Sequence, residues 1–191
     1  SEALLGLKDV YAMSDNPEEY ARILEEYERQ NPGNNSVESL QFENAKNLFF
    51  NGKYLQATQL LERYLVSYPN NGNTDEANYY LGESYTMLNN PERALGYYGK
   101  VISNGESSFT TKASYRAAGI YMQQKSYKQA VDLYKRVIES SSEKRQIILS
   151  QLEMMVAYYE LGDYSSVKSL SNKIILEGNE VVANASNRAI L

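Results

Sequence analysis

The side chains able to do chemistry in this 191-residue chain are carboxylates, lysines, serines and tyrosines, because histidine and cysteine are both absent. The usual general base, the commonest metal ligand and the near-neutral proton switch are missing with them, and no thiolate or disulfide can form. Neighbouring carboxylates occur at Glu18 and Glu19 and again at Glu25, Glu26 and Glu28. Such pairs can share acid and base work, but these read as one helical surface without a basic or apolar pocket, which is a solvated face. Serines and lysines recur without a strand-turn-helix elbow or a phosphate-cradling glycine loop. No catalytic residue, metal site or cofactor is expected. Contact chemistry remains. The eighteen tyrosines, with the pairs Tyr79-Tyr80, Tyr97-Tyr98 and Tyr158-Tyr159, either stack exposed rings on a glycan or pack helices with the hydroxyl at an edge.

Charge narrows the partners. The net formal charge is −5, and residues 1–40 hold nine acids against three bases. No basic face offers itself to nucleic acid or an anionic membrane. No apolar run approaches the roughly 18 residues of a membrane span, and the N-terminus lacks the pattern of a signal peptide, so a soluble chain is expected.

The elements that must position the contacts are set by a repeat. Tyr11, Tyr85, Tyr121 and Tyr158 recur with a period of about 37 residues, and Leu48 fills the slot where a Tyr is absent. The period divides the chain into units of about 1–37, 38–74, 75–110, 111–147 and 148–180, with a partial unit at 181–191. Small residues fall at the eighth and twentieth places of the middle units: Ala45 with Ala57, Gly82 with Ala94, Ala118 with Ala130. They let two helices of a hairpin approach closely. Larger groups fill the flanking holes: Leu24, Leu61, Tyr98 and Tyr134, then Tyr27, Tyr64, Val101, Val137 and Ile174. Asn16-Pro17 and Asn90-Pro91 read as helix starts, and Ser126 and Asp163 as further caps. Asn51-Gly52 and Gly162-Asp163 read as tight turns, and Gly178-Asn179 as a loop before a truncated last helix. The expected fold is all-α, with about ten helices in one solenoid. Because helical spacing has begun by Ala3, Leu4 and Leu7, and the chain ends inside a further first helix, a segment of a longer protein is expected.

This pattern resembles the tetratricopeptide repeat. The third unit carries it best, with Leu81-Gly82, Tyr85, Ala94, Tyr98 and Val101, and the second adds Ala45, Ala57, Leu61, Tyr64 and Pro69. The resemblance implies a right-handed α-α superhelix of about five hairpins acting as a non-catalytic scaffold. Residues 42–102, with Tyr68-Pro69 and Asn78-Tyr79-Tyr80-Leu81-Gly82-Glu83-Ser84-Tyr85, are similar to bacterial envelope members of the BamD and YbgF type, which implies a periplasmic or envelope-associated protein. Lys8, Tyr20, Met155 and Val167 stand where the family wants small residues, so the outer hairpins are expected to pack differently.

First helices of such repeats line a concave groove. Their fifth places are Leu5, Phe42, Tyr79, Tyr115 and Leu152, their twelfth Ala12, Phe49, Thr86, Met122 and Tyr159, and their ninth Asp9, Lys46, Glu83, Gly119 and Val156. Leu5, Phe42, Lys46, Phe49, Tyr79, Glu83, Tyr115, Met122, Leu152 and Tyr159 are the candidate contacts for a peptide, a helix or a partner protein. The family members that clamp a terminal carboxylate use Lys and Asn at the fifth and ninth places, so that ligand is not expected. A spacer or self-assembly element, associating through the truncated terminal repeats, is one alternative, and a glycan surface built on exposed Tyr is another.

Overall fold

A computed structural model describes residues 6, 17–31, 35–105 and 107–188. Among them the regular structure is entirely helical: α1 (Pro17–Gln30), α2 (Asn35–Phe50), α3 (Tyr54–Ser67), α4 (Thr74–Met87), α5 (Pro91–Asn104), α6 (Thr110–Gln123), α7 (Tyr127–Ser140), α8 (Lys144–Glu160) and α9 (Tyr164–Arg188). The chain divides into two compact units, residues 1–109 and 110–191. In the first, each helix from α1 to α5 packs on the next, and α2 also reaches α4; in the second, α6 packs on α7, α7 on α8 and α8 on α9.

The repeat is written into the hairpin turns. The backbone N–H of Lys53, Asn90, Ser126 and Asp163 donates to the carbonyl of Leu48, Tyr85, Tyr121 and Tyr158 respectively, at 2.8–2.9 Å. The residue before each donor bonds three residues back, Gly52 to Phe49 and Asn89 to Thr86, Lys125 to Met122 and Gly162 to Tyr159. This paired pattern is a Schellman closure, and it needs left-handed backbone at one residue. That residue is Gly52 (φ 74°), Asn89 (φ 55°), Lys125 (φ 57°) or Gly162 (φ 75°). Four of the repeat-marking residues, Leu48, Tyr85, Tyr121 and Tyr158, are thus the acceptors that close their first helices, and the fifth, Tyr11, lies outside the described residues.

The small positions do what their size suggests. Ala45, Ala57, Ala94, Ala118 and Ala130 have no exposed surface, and around them Leu24, Leu61, Tyr64, Tyr98, Val101, Tyr134 and Val137 are buried. At about 1.5–3 kcal/mol for each large apolar side chain removed from water, these contacts outweigh the weak intrinsic stability of helices this short.

Helix starts conform in part. Pro17 opens α1, while its expected cap Asn16 lies outside the described residues. Asn90 caps α5 by accepting from Arg93 N–H at 3.2 Å, and Asp163 caps α9 by accepting from Ser166 N–H at 3.1 Å. Ser126 makes no side-chain cap bond, which corrects the sequence expectation: at the equivalent turn position the longer side chains of Asn90 and Asp163 make that bond and the short Ser126 hydroxyl does not. The expected loop at Gly178-Asn179 is also corrected: α9 runs without a break from Tyr164 to Arg188. A lone interior glycine costs a helix only about 1 kcal/mol, and no proline follows it to force a stop.

Candidate functional site

The feature of the second unit with most reach is the outer face of α8. Ser150, Gln151, Met154 and Ala157 form its buried side, packed toward α7 and α9. At 3.6 residues per turn, Ile148, Leu149, Leu152, Val156 and Tyr159 fall on the opposite side, and they are 40–59% exposed. The patch continues onto α9, where the ring of Tyr164 meets that of Tyr159 edge-on at 5.7 Å. A helix apolar all round is normally covered all round. Here one side is covered and the other is bare.

Leu152 and Tyr159 were candidates from the sequence, and the structure brings them together with Leu149 and Val156 on that face. Leu149 and Ile148 were missed. Their signal was present in the composition of α8, which has large apolar residues at both of its helical phases.

The other candidates are engaged elsewhere in their own units. Tyr115 and Met122 are half-buried against the cluster of Ala118, Tyr134 and Met154, with the Tyr115 and Tyr134 rings 5.9 Å apart. In the first unit Phe42 is only 3% exposed, its ring 5.3 Å from that of Tyr64. Phe42 is therefore a core residue and its expected place on a contact surface is corrected: the large ring of Tyr64 lies against this fifth place of the repeat. Phe49 is half-buried within a group of rings formed with Phe50, Tyr54 and Tyr80, at centroid distances of 5.0–5.6 Å. Phe50 is the exposed edge of that group. Tyr79 packs on Tyr80, Tyr98 and Phe109. Leu5 lies outside the described residues.

The two charged candidates are tied down internally. Lys46 reaches Glu43 at 3.0 Å and Glu76 at 3.2 Å and lies over the Phe42 ring. Burial works against its charge, but the bonds to Glu43 and Glu76 prevail and hold its pKa above the ordinary lysine value. Glu83 accepts from the Tyr98 hydroxyl at 2.5 Å. Burial first, and the adjacent Glu83 charge second, push the Tyr98 phenol well above its usual range, so it stays a donor. Among the described residues no group of acidic side chains could hold a metal ion, and no helix is long and apolar enough to cross a membrane.

Comparison with known proteins follows the same lines. The chain is similar over 93% of its length to a tetratricopeptide repeat protein from Parabacteroides merdae, at 18% identity and a TM-score of 0.65, and spans 66% of that protein. The fold is of the tetratricopeptide-repeat type. MamA from Desulfovibrio magneticus is similar over 94% of this chain and 95% of its own, with a TM-score of 0.64 at 15% identity. The tetratricopeptide-like repeats of a putative kinesin light chain from Podosopora anserina match 95% of this chain and 96% of theirs, with a TM-score of 0.62 at 18% identity. The family model of the anaphase-promoting complex (cyclosome) subunit 3 matches residues 51–137, the central repeats, a little under half of the chain. No curated protein matches the sequence significantly. In tetratricopeptide terms α2, α4, α6 and α8 are first helices, and the bare face of α8 consists of the second, fifth, ninth and twelfth places of its repeat together with Ile148.

Proposed function

We propose that this tetratricopeptide-type chain is a non-catalytic scaffold that docks a polypeptide partner on the apolar outer face of α8. The observation that carries this is the row of Leu149, Leu152, Val156 and Tyr159, large apolar side chains left exposed on the side of α8 opposite its packing. An apolar patch on a folded surface is a standing site for association. Docked there, aromatic and aliphatic anchors supply most of the binding free energy, and an amphipathic helix with apolar residues three and four apart matches the spacing of the row. The absence of histidine and cysteine from the whole sequence supports a role in contact rather than covalent chemistry.

A location in a bacterial envelope belongs to the same proposal. It rests on the likeness of residues 42–102 to envelope members of the repeat family, and fractionation of cells expressing the full-length protein tests it.

Leu152→Asp combined with Val156→Asp tests the docking surface. Both side chains lie outside the core, so helical content and melting are expected to stay as in the parent while partner affinity falls at least about tenfold. Unfolding of the double variant, or undiminished binding, defeats the proposal.

A further inference from the structure

The apolar row on α8 has two edges of opposite charge. With 3.6 residues per turn, Lys144, Ile148 and Tyr159 fall along one edge, and Leu149, Glu153 and Glu160 along the other. The first edge borders α9, because the Tyr159 ring meets that of Tyr164. One turn further along α9, on the side of Tyr164, stands Lys168. The second edge borders α7, whose Tyr127 hydroxyl donates to Glu160 Oε2 at 3.3 Å. Arg145, one turn before Leu149, adds a positive charge where the row begins.

These charges are not spent inside the molecule. Lys144, Arg145, Glu153, Glu160 and Lys168 are exposed, and among the described residues none of them has an ion-pair partner. In the first unit, by contrast, Lys46, Arg63 and Arg93 each reach a glutamate of another helix. An apolar centre inside a charged rim is the anatomy of a protein interface. Charge on the rim selects the partner and sets its direction more than it adds affinity.

A helix lying along the row turns one flank to each edge. An anionic membrane surface would meet Glu153 and Glu160 with like charge. Resting on the docking face proposed above, we infer that its occupant is an amphipathic helix of another polypeptide with acidic residues on one flank and basic residues on the other. The acidic flank faces Lys144 and Lys168, and the basic flank faces Glu153 and Glu160. Turned end for end, the same helix would set like charges together, so it docks in one direction.

Four blocked helical peptides, titrated against the whole chain and followed by fluorescence anisotropy, test this. All carry one apolar stripe at three- and four-residue spacing. Their flanks are glutamate on one side and lysine on the other, glutamate on both, lysine on both, or glutamine on both. The two-signed peptide is expected to bind at least about tenfold more tightly than each of the others at low salt, and to lose that advantage as salt is raised. Lys144→Glu with Lys168→Glu, both at exposed positions, should move the preference to the peptide with lysine on both flanks. Leu152→Ser with Val156→Ser keeps every charge and should abolish binding of all four. If the four peptides bind alike, or a like-signed one binds best, while the serine variant binds none, the docking face stands and this inference is overturned. If no peptide binds, or binding survives the serine changes, the docking face falls and this inference with it. Dimerisation of the chain alone in sedimentation, lost in the serine variant, would make the occupant a second copy and also overturn it.

Discussion

A methyl group built on Gly82 would stand 2.5 Å from Cε1 of the Tyr98 ring, so α4 and α5 meet with no room for a side chain between them. Tyr98 is fully buried and its hydroxyl is bonded to Glu83, so the ring has nowhere to go. Gly82→Ala is therefore expected to lower stability by about 1–3 kcal/mol through overpacking, against the roughly 1 kcal/mol that alanine adds to a helix interior. Gly99→Ala in α5, where an added Cβ meets nothing within 4 Å, is expected to raise stability by up to about 1 kcal/mol. Urea unfolding of the two variants beside the parent checks the opposite signs.

Lys125 occupies the left-handed position that Gly52 and Gly162 fill in the equivalent turns. A side chain there costs about 1–2 kcal/mol, partly offset by the greater unfolded freedom of glycine. Lys125→Gly is expected to raise stability by about 0.5–1 kcal/mol, and Gly52→Ala to lower it by about 1–2 kcal/mol. Thermal melts ranked in any other order contradict the shared turn geometry.

The fold was legible because one signal was copied. The small residues Ala45, Ala57, Gly82, Ala94, Ala118 and Ala130 recur where helices touch, and Leu48, Tyr85, Tyr121 and Tyr158 recur where a carbonyl closes a Schellman turn. The contact surface was less legible. Phe42 and Leu152 share the fifth place, yet Tyr64 closes over Phe42 while α9 carries the smaller Ile174 at the register of Tyr64, and Leu152 stays 40% exposed. Register assigns a face, and the side chains that neighbouring helices bring to it decide whether that face is covered, as Tyr134 does for Tyr115. Gly178 shows the same limit for boundaries, since a glycine without a following proline marks an end only when packing agrees.

Glu62 of α3 ties three helices. Its Oε1 accepts from the Tyr85 hydroxyl at 2.6 Å and the Tyr97 hydroxyl at 2.8 Å, and those rings stack at 5.6 Å and 4°. Hydrogen bonds to a charged group contribute about 1.5–3 kcal/mol when shielded, and partial exposure of Glu62 reduces this. Glu62→Ala is expected to destabilise by about 1–2 kcal/mol. A double-mutant cycle with Tyr97→Phe should give a non-zero coupling between the two, and strict additivity would deny the shared contact.

The start of α9 responds to acid. Hydrogen bonds from the Ser165 and Ser166 side chains and from the Ser166 N–H hold the Asp163 carboxyl at about 2, below its ordinary 3.8. A depressed carboxyl stabilises the folded form above its unfolded pKa, and that contribution is lost as pH falls through the folded value. The Ser166 amide resonance is expected to titrate with a midpoint near 2. Asp163→Asn, whose amide oxygen still accepts, should remove that titration; a midpoint at the ordinary value would contradict the cap.

The most direct measurement places a photo-crosslinking residue at Val156, on the bare face of α8, and a second at the exposed Gln129 of α7. With the full-length protein in its native cells, the account predicts one discrete adduct from Val156 that contains a different polypeptide, no such adduct from Gln129, and loss of the adduct when Leu152→Asp is added. No adduct at Val156, the same adducts from both sites, or an adduct made only of a second copy of this chain would contradict a dedicated docking face.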